Sequence, residues 1–363
     1  MCNFLIPPNN LRICQLDCYF AINKTVEATL QNHISLKPYN TFGFEVFAEN
    51  YMAIHSIEEL KKCIAQYPAL PKKILGGGSN IIFSQDVSAL LIHNQIKGRT
   101  IISESGDNIL VAFGGGEIWH DSVLFTLENG WGGMENLSLI PGTMGAAPIQ
   151  NIGAYGTELK DVFHSLKAVH LTTGEIHEFD AEACRFGYRE SIFKHEFKDQ
   201  YCIVEVVVSL SKNPQIKTQY GDIQQTLESW GIEKPSIQDV SKAVIHIRSS
   251  KLPNPKEIGN CGSFFKNPVV PTAVFEAIQL QYPQAKSYPV SDTEVKVPAG
   301  WLIETAGWKG YTQGNIGVHA KQALVLVNYG GGNGAEIIAL AHKIQADIQA
   351  KFNIALEMEV NRW

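Results

Sequence analysis

The residues of this chain best suited to chemistry lie in two glycine-rich runs. The run IPGTMGAAPIQNIGAYG, residues 140–156, sets Gly142, Gly145, Gly153 and Gly156 beside Pro141 and Pro148 and carries no charge. Glycine lets main chain approach a ligand without a Cβ in the way, and successive unshielded N–H groups form a nest that suits phosphate oxygens. The run LGGGSN, residues 75–80, follows Lys72 and Lys73 and precedes a short apolar strand. Either run alone reads as well as a tight turn. Two of them in one region point to a dinucleotide whose pyrophosphate rests on bare backbone. Near the other end, alternation in IALEMEV puts Ile354, Leu356, Met358 and Val360 on an inner face, leaving Glu357 and Glu359 together on what reads as a solvated one.

A third glycine run, GGGNGAEII after the strand-like ALVLVNY, imitates a dinucleotide fingerprint with Gly330, Gly332 and Ala335. Too few residues follow for a doubly wound sheet, so a flexible surface loop is the expectation. Neither G-x-x-x-x-G-K-[ST] nor G-x-S-x-G occurs, which disfavours a P-loop ATPase and a serine hydrolase. The seven cysteines, Cys2, Cys14, Cys18, Cys63, Cys184, Cys202 and Cys261, contain no C-x-x-C pair. The Cys14/Cys18 pair has no matching Cys/His pair at zinc spacing, so reduced thiols and no metal are expected.

The elements that must position these loops follow from periodicity. At 363 residues the chain exceeds one ordinary core, and two or three domains are expected. Residues 56–67 read as a helix inside a small α/β unit whose strands flank LGGGSN. Strand text follows at 109–113, with a hairpin at 168–179 and a helix over 120–130 stopped by Gly130. The segment 251–263, rich in proline and glycine, reads as a linker. Ile337, Leu340, Ala341, Ile344, Ile348 and Phe352 recur at helical steps and give the last helix one apolar face. The fold class is α+β, divided as an extension over 1–33, units over 34–98 and 99–252, and a C-terminal domain over 253–363. A net charge of −6 excludes a broad nucleic-acid or anionic-membrane surface. The chain has no signal-peptide pattern and no membrane-length apolar run, so a cytoplasmic monomer acting on a small molecule is expected.

The strings YNTFG (39–43), LGGGSN, ENLSLIPGTMGAAPIQNIGAYG (135–156), CRFGYRESIFKHE (184–196), GSFFKNP (262–268) and LEMEV (356–360) occur in this order. Together they closely resemble the UDP-N-acetylenolpyruvoylglucosamine reductase (MurB) family, and TQYGDI (218–223) resembles the tyrosine loop of its longer, type I members. The resemblance implies an FAD-binding fold of the vanillyl-alcohol-oxidase type in two subdomains, followed by an α+β substrate-binding domain. It also implies NADPH-dependent reduction of the enolpyruvyl ether of a UDP-sugar for peptidoglycan. Non-covalent FAD would be wrapped by Gly76, Gly77, Gly78, Ser79 and Asn80 and by Pro141, Gly142, Thr143, Gly145, Ala146, Gly153, Ala154 and Gly156. Ser263 would donate a proton, while Arg189 and Glu359 would act on the developing charge. Tyr188, Tyr220, Lys251, Asn267, Tyr288 and Gln322 would hold the substrate, with Arg248 and Lys266 as further sources of charge. His195 and His319 read as structural. From the residues alone, a flavin oxidase or dehydrogenase on a small alcohol and a non-catalytic UDP-sugar module remain alternatives.

This chain departs from the family at its end. The position after the valine of LEMEV is Asn361, with the arginine one place later at Arg362. The expected consequence is weaker support for Glu359 and an unpaired sheet edge in the first unit.

Overall fold

The computed structural model describes residues 28–363. The Cys14/Cys18 pair and the expected extension up to residue 27 lie outside the described residues. The first sheet runs in the order Gln31–Ser35, Phe47–Ile54, Val87–Asn94, Lys72–Leu75. Its first pair is antiparallel and the others parallel. Parallel neighbours need a crossover, and the helix Ile57–Gln66 supplies it. That helix starts where the Ser56 hydroxyl accepts the Glu59 N–H at 3.1 Å. The strand Val87–Asn94 sits inside the sheet and is buried along most of its length, which is why its sequence is nearly continuously apolar rather than alternating.

The second sheet is antiparallel, ordered Ile176–Asp180, Phe163–His170, Tyr201–Ser211, Asn108–Gly114, Arg99–Ser105. The expected hairpin forms its edge, and the helix Trp119–Glu128 packs Trp119, Val123 and Leu127 into its core. Met52, Ile54, Leu90 and Ile92 of the first sheet share a core with Val169, Cys202 and Val204 of the second. The two units therefore meet through apolar surface.

In the C-terminal part, Gly259–Ser263, Val325–Asn328, Ile316–Val318 and Thr312–Gln313 form an antiparallel sheet. The helix Gly334–Phe352 covers it and buries all six residues of its expected apolar face. Asn333 and Glu336 begin that helix as a reciprocal capping box. A Cβ on Gly334 would stand 1.9 Å from the Phe83 carbonyl oxygen. The run that imitates a nucleotide fingerprint is thus a helix start pressed against the first unit, and the strand before it is antiparallel to both neighbours, which no Rossmann unit allows. Its exposed glycines lie on the surface, as expected, but its last glycine is set by packing.

Three expectations change. Residues 354–360 form no regular strand; a single bridge joins Met358 to Phe265. The linker is shorter than expected, because the helix Ile237–Lys251 and the strand Gly259–Ser263 occupy both its ends. The chain end does not leave the first unit bare: Asn361–Arg362 pairs in parallel with Ile81–Ile82, and the Trp363 carbonyl accepts the Ser84 N–H at 2.8 Å. The α+β class holds, with a two-sheet unit followed by a separate C-terminal sheet. No described helix is long and apolar enough to cross a membrane. Cys63, Cys184, Cys202 and Cys261 are unpaired and buried.

Candidate active site

A cavity of about 1120 Å³ runs between the three parts of the chain. It exceeds the usual 300–1,000 Å³ of a small-molecule pocket, as a dinucleotide requires. Of the residues expected to hold a cofactor, Gly76, Gly77, Gly78, Ser79, Asn80, Pro141, Gly142, Thr143, Gly145, Ala146 and Gly153 all line it. Ala154 and Gly156 do not: they sit in a two-strand turn where a Cβ on Gly156 would stand 3.2 Å from the Tyr220 side chain. Among the described hydrogen bonds, none is donated by the N–H of Gly77, Gly78, Ser79 or Asn80. Those donors, with the cavity they border, fit a phosphate-bearing cofactor.

The two loops are also packed on each other. A Cβ on Gly77 would stand 2.9 Å from the Gly142 Cα, and one on Gly76 would stand 2.8 Å from the Thr143 hydroxyl oxygen. Gly78 has φ +60° and a would-be Cβ 1.9 Å from the Tyr39 carbonyl oxygen. Turn-making and ligand-cradling are therefore one requirement here, since close backbone packing is what presents the bare N–H groups.

Ser263, Arg189 and Glu359 line the same cavity. Ser263 ends its strand after a register shift that follows Asn260, and Gly262 takes φ +74° there. This bulge turns the serine outward while Cys261 and Phe264 stay buried. Glu359 is tied to the neighbouring residue, its N–H donating to the Phe264 carbonyl at 2.9 Å. The Glu359 side chain is only 11% exposed and its Oε1 lies 3.0 Å from Arg189 Nε. The contact is close without being a well-aligned hydrogen bond, because that Nε has no properly directed acceptor. Arg189 itself takes φ +57° and donates from Nη2 to the Gly153 carbonyl at 2.6 Å. Burial pushes the Glu359 carboxyl above the usual carboxylate range, and Arg189, Lys194 and Lys266 only partly oppose it. The solvated face expected for both glutamates is thus wrong for Glu359, since the second unit closes over it. Glu357 stays exposed and pairs with Lys266 at 2.6 Å.

The residues expected to hold substrate gather in two groups outside the cavity lining. Tyr220 and Tyr288 are half-exposed, with ring centroids 6.5 Å apart. Lys251 ends its helix and pairs with Asp222, two residues from Tyr220. Tyr188 lies between two cations, Arg189 at 5.5 Å and Lys296 at 4.5 Å from its ring, and burial raises the pKa of its hydroxyl. Asn267 Oδ1 accepts the Ala299 N–H at 2.9 Å, and Gln322 lies beside Gly300, which brings these two residues to one short helix.

Lys266 is buried and bound to both Glu190 and Glu357, so it braces the two halves instead of offering free charge. His195 bonds to Glu190 at 2.5 Å, and the His319 Nδ1 is buried without a partner. Arg248 faces the cavity, not the tyrosine rim, and its Nε is buried without a partner; burial lowers its pKa. An orphaned guanidinium donor beside a cavity suits an anionic ligand. Sequence reasoning singled out neither Gln150 nor Lys194, both on the cavity wall. Gln150 stood inside the glycine run, but nothing in its spacing marked it.

Comparison with known proteins adds the following. Residues 254–363 match the family described as UDP-N-acetylenolpyruvoylglucosamine reductase, C-terminal domain, and residues 48–180 match an FAD binding domain. A UDP-N-acetylenolpyruvoylglucosamine reductase of Flavobacterium johnsoniae is 52% identical, covering 92% of this chain and 99% of the relative. One from Pseudomonas aeruginosa is 47% identical over 92% of this chain and 98% of its own. The crystal structure of the Thermus caldophilus UDP-N-acetylenolpyruvylglucosamine reductase superposes with a TM-score of 0.64 at 21% identity, covering 93% of this chain and 99% of that one, a likeness of fold.

Proposed function

Because the chain belongs to the UDP-N-acetylenolpyruvoylglucosamine reductase family, whose members are flavin-dependent oxidoreductases, we propose that it reduces the enolpyruvyl ether of UDP-N-acetylglucosamine to UDP-N-acetylmuramate for peptidoglycan. In this reading FAD is held non-covalently, NADPH is the hydride donor, and the enzyme is a cytoplasmic monomer. The observation that carries the reading is the meeting of Ser263, Arg189 and Glu359 on one wall of a dinucleotide-sized cavity.

FAD, when bound, supplies the hydride that adds to one alkene carbon of the ether. The chain's own residues then have three tasks. Arg189 offers a permanently charged planar fork to the substrate carboxylate, over which negative charge spreads as the hydride arrives. Ser263 gives its hydroxyl proton to the other carbon, which the carboxylate-stabilised carbanion is basic enough to take when the two are in contact. Glu359, whose carboxyl burial pushes above the usual carboxylate range, takes up a proton more readily than an ordinary glutamate, and in that form can hydrogen-bond to an anionic substrate without repulsion. Tyr220, Tyr288 and Lys251 at the rim, with Tyr188, Asn267 and Gln322, bind the UDP-sugar away from the reacting carbons. The orphaned Arg248 donor and the N–H groups of residues 77–80 would hold the cofactor's anionic parts. Cys261 lines the cavity, but burial keeps its sulfur a thiol, consistent with an unlinked flavin.

The two half-reactions test this. Anaerobic NADPH should bleach the yellow protein, and enolpyruvyl-UDP-N-acetylglucosamine should restore the colour. Failure of that substrate to restore it refutes the function. In Ser263→Ala, bleaching should survive while recolouring slows by roughly 10²–10⁴-fold. Equal slowing of both steps would refute the role of Ser263.

A further inference from the structure

Gln150 ends the short turn Ala147–Gln150 inside the glycine run, and its amide joins two residues far apart in sequence. Asn80 Nδ2 donates to Gln150 Oε1 at 2.6 Å, and Gln150 Nε2 donates to Glu359 Oε1 at 3.2 Å. The direction of this relay is fixed at its start. Asn80 Nδ2 also faces the Glu359 carbonyl at 3.4 Å, so it must be the nitrogen, and Gln150 then has only its NH₂ left for the carboxyl. The turn is held from both sides. Ser191 Oγ donates to the Ile149 carbonyl at 2.6 Å, and buried Asn151, at φ +43°, donates to Glu158 and the Gly187 carbonyl. Asn361 donates from its N–H and its Nδ2 to the Asn80 carbonyl at 3.0 and 3.2 Å. The chain end thus secures the first member of the relay.

The consequence concerns the two carboxyl oxygens. Oε1 of Glu359 faces the Gln150 amide donor and the Arg189 guanidinium. A neutral carboxyl keeps its proton on the oxygen that is not already accepting. We propose that Gln150 is a positioning residue: it orients the Glu359 carboxyl so that the acidic proton stands on Oε2, the oxygen neither Gln150 nor Arg189 engages. This rests on the reading that Glu359 serves the substrate in its neutral form.

The groups facing Glu359 are Arg189, Lys194 and Lys266 as cations, with Tyr188 and Cys261 as neutral acids. None of them is hydrogen-bonded to Gln150, whose amide contacts are Asn80 and Glu359. Removing a donor to the carboxylate disfavours its ionised form, so Gln150→Met should hold Glu359 neutral to higher pH. In the holoenzyme, the alkaline limb of the recolouring rate should move up by about one pH unit, the worth of one charge-assisted hydrogen bond. Asn80→Ala, which frees Gln150 to turn its carbonyl toward Glu359, should move the limb the same way. The second measurement reads the unmodified protein directly. The infrared carbonyl band of neutral Glu359, identified by its absence in Glu359→Gln, should be that of a carbonyl accepting hydrogen bonds. A free-carbonyl band in the unmodified protein, or an unmoved limb in folded Gln150→Met, overturns the proposal. Wild-type recolouring in Glu359→Gln would instead sink the role of Glu359 while leaving the amide contact intact.

Discussion

Gly77→Ala isolates the packing of the two cofactor loops. Gly77 is not among the positive-φ residues, so alanine adds no backbone strain and acts only through crowding. Its Cβ would stand 2.9 Å from the Gly142 Cα and 3.3 Å from the Gly142 carbonyl carbon. Carbon atoms rest at about 3.5–4.0 Å, so the loops must part by close to 1 Å. Both partners are backbone, and no side chain can swing aside. Overpacking of this kind costs about 1–3 kcal/mol. If bound FAD requires the closed loops, that cost falls on binding and weakens the affinity by roughly 5–150-fold at 1.4 kcal/mol per tenfold. Apoprotein titrated with FAD, followed by flavin fluorescence, measures the constant, and thermal unfolding of the apo form measures what strain remains without ligand. An unchanged dissociation constant together with an unchanged apo Tm would refute the argument, because it would mean the loops do not touch.

Three other outcomes follow from the electrostatics and the rim. Glu359 has a folded-state pKa raised by burial. Its neutral form therefore favours folding below the ordinary carboxylate pKa, and that advantage is lost as pH rises through the folded value. Glu359→Gln should gain stability over the wild type as pH increases from acid to neutral, and a constant difference in Tm would contradict the burial. His93, hydrogen-bonded to Tyr51 at 2.7 Å, has its pKa lowered to about 4 by burial and then by His55 and Lys97. The unfolded chain binds that proton from about pH 6.5 downward and the folded chain only near 4, so up to about 3 kcal/mol of stability disappears across this window. His93→Gln should flatten the acid limb of a Tm-against-pH curve, and an unaltered limb would refute the assignment. Lys251→Ala should raise the substrate KM with little change in kcat, since a contact remote from the reacting carbons binds ground and transition states alike. Tm should hold, because the Asp222 partner is as exposed as the lysine, and an unaltered KM would reject the contact.

The sequence by itself determined the elements and the loops. Helical steps from Ile337 to Phe352 identified the last helix, the pattern over 56–67 an earlier one, and the two glycine runs the loops proposed to cradle the cofactor, because each signal is local: a periodicity or a missing Cβ. It also carried the motifs by which Ser263, Arg189 and Glu359 were picked out. The tertiary structure decided what those residues experience. Glu357 and Glu359 are equivalent under alternation, and only the approach of Arg189 and Gln150 from another unit leaves one solvated and the other buried. Lys266 and Arg248 are both lone cations in sequence. Glu190 from across the domain boundary and Glu357 from its own domain neutralise the first, while the second keeps an orphaned donor at the cavity wall. Ile81–Ile82 of the first unit finds its strand partner in Asn361–Arg362, which arrive from the far end of the chain. Burial, pairing and charge depend on which distant surfaces meet, and no local pattern encodes that meeting.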